Sequence, residues 1–108
     1  MMEKELKWEQ LRDQLYLVNN TKNVYYNPPS SIKMEFPCFR FEMNNLDVKH
    51  ADNKAYSRKN RWAVTYISRS LEDIEKVQNE MLDIFQYCNF DTSFRADNLN
   101  HAVFNLYF

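Results

Sequence analysis

The 108-residue sequence predicts an α+β domain: two helices packed on a largely antiparallel sheet, in the order α-β-β-β-α-β-β. Three observations carry this reading. Apolar and polar residues alternate over Cys38–Met43 and again over Ala102–Phe108, which is the period of a strand with one buried face. Two other stretches, near the start and after Ser70, keep apolar residues at helical spacing. At this length the chain is read as one domain, spanning residues 1–108.

The first helix is expected from residue 3 to about 20. Leu6, Leu11, Leu15 and Val18 cluster on one side with Trp8 nearby, and Glu3–Lys7 and Glu9–Arg12 supply charge pairs. The polar run Asn19–Asn23 ends it. Val24–Tyr26 follows as a short strand that Pro28 must stop, because proline cannot donate to a ladder. Alternation sends one of Tyr25 and Tyr26 into the core and the other outward, beside the rigid Pro28-Pro29 joint.

The second strand places Phe39, Phe41 and Met43 on one face and Cys38, Arg40 and Glu42 on the other, with Pro37 at its first position. Residues 45–60 show no periodicity and form a long polar connection, of the length usually reserved for functional or disordered loops. Arg61–Ser68 reads as a strong strand. Ser70 with Asp73 three residues on is a helix start, and Ile74, Val77, Met81, Ile84 and Phe85 give that helix its apolar stripe. Two final strands turn around Asp97–Asn100.

Composition narrows the function. The chain has no glycine, so the phosphate-cradling loops that need positive φ or close backbone approach are excluded. Asparagine is expected to serve at turns instead, at Asn44, Asn45, Asn53, Asn60, Asn98 and Asn100. A net charge of −1 does not suit a dedicated nucleic-acid binder. Aromatic residues make up 16% of the chain, more than a small core needs, and self-association is one way to cover the surplus. The opening MMEKELKWEQ lacks the apolar stretch of a secretory signal, and no run is long and apolar enough to span a membrane. Cys38 and Cys88 are accordingly read as reduced thiols.

No catalytic constellation emerges. His50, His101, Cys38 and Cys88 lack metal-ligand spacing, and His50 with Asp52 reads as a solvated pair in a polar loop. Cys88 and His101 could in principle form a nucleophile pair, but nothing resembling an oxyanion hole accompanies them. Lys54, Arg58, Lys59 and Arg61 alternate with Tyr56 and Trp62, a pattern able to grip a phosphate backbone. Asp47 and Asp52 in the same loop favour a protein-contacting surface instead. No catalytic, cofactor or metal residue is assigned.

Four islands together resemble one family. YYNPP at Tyr25–Pro29, FPCF at Phe36–Phe39, ADNKAY at Ala51–Tyr56 and DNLNHAVFNLYF at Asp97–Phe108 look like the tail terminator proteins of long-tailed bacteriophages. The resemblance runs in this order over about 80 residues. It implies a non-enzymatic virion protein, assembled in the host cytoplasm, whose copies form a ring, typically a hexamer. Such a ring caps the tail tube and joins it to the head connector, so the implied partners are further copies, the tail tube protein and the connector. It implies no cofactor, no membrane and no specific nucleic-acid binding, although DNA would pass through the ring. Asp52, Asn53, Lys54 and Tyr56 match the family's loop motif. With Tyr25, Tyr26, Pro28, Pro29, Arg58, Lys59 and Arg61 they form the expected contact surface. The alternatives are a head-completion adaptor of the phage neck and, from another class, a small nucleic-acid-binding module.

Overall fold

The computed structural model describes residues 6–44 and 60–108. Along them run α1 (Lys7–Leu17), a 3₁₀ turn (Val18–Asn20), β1 (Val24–Tyr26), β2 (Cys38–Met43), β3 (Arg61–Ser68), α2 (Leu71–Ile84), β4 (Cys88–Ala96) and β5 (Leu99–Tyr107). The strands form one sheet in the order β1-β2-β3-β5-β4. β1 pairs in parallel with β2, and every other neighbour is antiparallel. The expected fold class and element order are the observed ones.

Both helices lie on the same face of the sheet. Strand alternation sends Phe39, Phe41, Trp62, Val64, Tyr66, Ala102, Phe104 and Leu106 toward Leu11, Leu15, Val18, Ile74, Val77 and Met81. All fourteen lie in the apolar interior that drives folding. The fully buried indole of Trp62 donates from Nε1 to the Phe108 carbonyl at 3.5 Å, so its polar atom keeps a partner. The hydroxyl of Tyr66, also buried, accepts from Asn19 Nδ2 at 3.4 Å.

Helix α2 starts as the sequence indicates, with Ser70 Oγ accepting from the Asp73 backbone at 3.3 Å. Ser68 Oγ donates to Asp73 Oδ2 at 3.1 Å and accepts from the Ser70 backbone at 3.1 Å, which pins the β3–α2 corner. Asn100 completes this corner from β5, donating from Nδ2 to the carbonyls of Ser68 and Arg69, each at 3.3 Å. It is therefore a buried strand residue and not the turn residue expected from its type. The turn itself is Asp97-Asn98, both at positive φ.

Other expectations are corrected at element ends. Helix α1 begins at Lys7, and a left-handed Asn19 closes it into the 3₁₀ turn, so its continuous part is shorter than the pattern suggested. Leu6 precedes the first turn and stays exposed, although its backbone N–H donates to Glu9 Oε1 at 3.0 Å. Ile84 is exposed too, because the stripe is completed by Phe85 at the C-cap. Pro37 stands just before β2, joined to Phe36 by a cis peptide.

Candidate assembly surfaces

The helices cover one sheet face only. On the other lie Tyr25, Cys38, Arg40, Glu42, Ala63, Thr65, Ile67, His101 and Val103, by alternation from the buried set. Met34 and Phe36, from the β1–β2 connection, rise on one side of this face, while Phe94 and Leu99 of the β4–β5 hairpin rise on the other. Between them runs an open groove of about 390 Å³ over Ile67 and His101. Phe94 stacks flat on His101 with ring centroids 4.6 Å apart.

Phe94 reaches this face through a bulge. Phe90 pairs with Phe104 and Thr92 with Val103, leaving Asp91 as the extra residue. Without it, Phe90 and Phe94 would share a face. With it, Phe90 packs edge-on against Phe104 on the helix side at 5.6 Å, and Phe94 crosses to the groove. Strand β4 is a sheet edge, and every residue from Asn89 to Arg95 is exposed. Both its aromatics sit at that edge, Phe90 41% and Phe94 50% exposed. The opposite edge is β1. There Tyr26 faces the helix layer, stacked on Trp8 at 4.8 Å and tilted against Phe41. Tyr25 faces the groove side, and its hydroxyl accepts from the Glu35 backbone at 3.0 Å, tying the proline-containing connection to the strand.

The expected contact residues are thus brought together in part. Tyr25, Tyr26, Pro28 and Pro29 gather at the β1 edge, with Pro29 and Tyr26 exposed. Arg61 opens β3 on the groove-side face. Asp52, Asn53, Lys54, Tyr56, Arg58 and Lys59 lie outside the described residues, as does His50. The exposed β4 edge was not singled out by sequence. Its signal was the pair Phe90 and Phe94 in an otherwise polar strand, and the bulge that parts them leaves no mark in a periodicity count.

The thiols are inert by placement. Cys38 faces the groove side and Cys88 the helix side, both buried and free, so neither can reach the other. Burial pushes each thiol up to about 11, far from a reactive thiolate. Cys88 and His101 also lie on opposite faces, which separates the one nucleophile pair the sequence offered. Among the described residues no three His, Cys, Asp or Glu side chains gather as a metal site, and no helix is long and apolar enough to cross a membrane.

These features define a small α+β domain with exposed aromatic residues at both sheet edges. A family model described as phage tail terminator protein matches residues 10–107, and the chain belongs to that family. It is thereby a structural component of a bacteriophage virion that acts through contacts with other phage proteins. No curated protein and no solved structure matches it significantly.

Proposed function

We propose that copies of this chain form a ring, six-fold in the finished particle, that caps the tail tube and joins it to the head connector. The observation that carries this is the family match over residues 10–107. The aromatic surplus supports it, since Tyr26, Tyr87, Phe90, Phe94 and Tyr107 all stay exposed on the isolated chain. A ring of identical subunits needs two different surfaces that fit each other, and the sheet offers two unlike edges. The contact surface on this reading includes Tyr25, Tyr26, Pro28, Pro29 and Arg61, together with Asp52, Asn53, Lys54, Tyr56, Arg58 and Lys59.

Light scattering of the purified protein, alone and with tail tubes, followed by particle imaging of tube ends, tests the reading. Rings on tube ends are expected, whether or not the free chain assembles. A strict monomer that also ignores the tubes would overturn it.

A further inference from the structure

We infer that the ring contact is a β-sheet junction: β4 of one copy adds antiparallel to β1 of the next, with Tyr25 opposite Phe94. The inference rests on the ring reading and supplies the contact which that reading leaves open.

Strand direction comes first. β1 and β2 run one way, β3 the other, β5 with β2, and β4 with β3. A rotation about an axis along the strands keeps every direction, so a neighbour's β1 arrives antiparallel to β4. Both faces are preserved as well, helix layer beside helix layer. The junction is heterologous, which a cyclic ring requires and a two-fold pairing of β4 with itself could not provide.

The free hydrogen-bonding groups then select the residues. On β1 the Asn23 carbonyl accepts from Phe39, and the Asn27 N–H donates to Phe41, so these residues point at β2. Alternation leaves the N–H and C=O of Val24 and Tyr26 pointing outward. On β4 the Ala96–Leu99 pair closes a two-residue turn, so Ala96, Phe94 and Thr92 point at β5. Ser93 and Arg95 therefore point outward. Pairing Tyr26 with Ser93 and Val24 with Arg95 satisfies all four residues at once.

Length and side chains agree with this register. The straight part of β4, from Thr92 after the bulge to Ala96 before the turn, is long enough to pair with the whole of β1, Val24–Tyr26, with a residue to spare at each end. Beyond β1 the left-handed Asn27 turns the chain away, so Pro28 (which has no N–H) is not called on for a ladder bond. Tyr25 and Phe94 meet on the groove-side face as a directly opposed aromatic pair. Five strands at about 4.8 Å span about 24 Å, so six copies would close a sheet about 46 Å across, wide enough for duplex DNA.

The test is a cysteine pair. Tyr26→Cys with Ser93→Cys would bring two Cα atoms to about 5.5 Å across the junction, within disulfide reach. Mild oxidation on tail tubes should give a ladder of multiples of the chain. Neither single variant should, and buried Cys38 and Cys88 serve as a silent background. Phe94→Lys, at a half-exposed position, should still fold, losing only the ring stack on His101, and should lose ring formation. A covalent dimer from Ser93→Cys alone would overturn the inference in favour of a two-fold β4 contact. Rings that form normally without cross-linking, and that survive Phe94→Lys, would overturn the junction and leave the ring reading standing. If the unsubstituted protein makes no ring on tubes, the ring reading itself falls, and the junction with it.

Discussion

Asparagine does the work of glycine in this chain. Asn19, Asn20, Asn27 and Asn98 all take positive φ, joined by Asp97, and no glycine exists to share the task. Asn19 holds its conformation by donating its backbone N–H to the Glu80 carboxylate, which ties the end of α1 to α2. Asn19→Ala should therefore cost about 1–2 kcal/mol, the penalty of a Cβ in the left-handed region, while Asn19→Gly should stay near neutral. Urea unfolding of the two variants checks this, and equal losses would mean that the side-chain bond to Tyr66 dominates instead. The buried thiols set a second residue-scale expectation. Burial raises Cys38 and Cys88 from 9.0 to about 11, and Tyr66 shifts upward for the same reason. Folding thus favours the protonated forms, and that contribution is complete below about pH 9 and lost as pH climbs toward about 11. The melting temperature should fall between pH 7 and about pH 10.5, and Cys38→Val should narrow the fall. That asparagine would serve at turns was legible from composition. Which asparagines do so was not: Asn100, chosen by type, is buried by its bonds to Ser68 and Arg69, contacts made some thirty positions away in the chain.

At the scale of elements, periodicity was a good guide wherever one face is buried. β2, β3, β5 and α2 were legible for that reason, because each sets a regular apolar row against the core. It was poorer at ends and edges. Leu6 and Ile84 continue the apolar pattern by identity yet sit past the packed turns. β4 itself was expected as a strand, but its bulge was invisible, because a single extra residue breaks the alternation without marking where it sits. The register offers a direct check. Phe90–Phe104 and Thr92–Val103 bracket Asp91, so deleting Asp91 removes only the unpaired residue and preserves every ladder pair. The deletion should fold with little loss in melting temperature. Deleting Ser93 is absorbed by the same bulge, with Asp91 moving opposite Val103 and Thr92 opposite Ala102. Inserting a residue between Thr92 and Ser93 should be far more damaging, since Phe94 would have to leave the His101 face or the strand would have to carry a second extra residue. Equal tolerance of the Asp91 deletion and of the insertion would show that the edge strand slides freely and that its aromatics are not held in place.

At the scale of the whole molecule, the decisive property is what the chain lacks as a nucleic-acid binder. Its net charge is −1, and the basic residues Lys54, Arg58 and Lys59 share their stretch of sequence with Asp47 and Asp52. On the proposed ring reading, the assembly must let a duplex slide through, and tight phosphate contacts would hold it back. Binding driven by phosphate contacts releases counterions and so weakens steeply with salt, in proportion to the number of phosphates neutralised. With few uncompensated cations, the chain should bind duplex DNA only weakly at about 150 mM salt, with a shallow salt slope. Replacing Lys54, Arg58 and Lys59 with alanine should change that slope by no more than their small number of contacts allows. Fluorescence anisotropy over a salt series, run on the free chain and on capped tubes, measures it. Sub-micromolar binding at that salt, abolished by the triple replacement, would make these residues a nucleic-acid grip and the proposed ring a clamp rather than a passive bore.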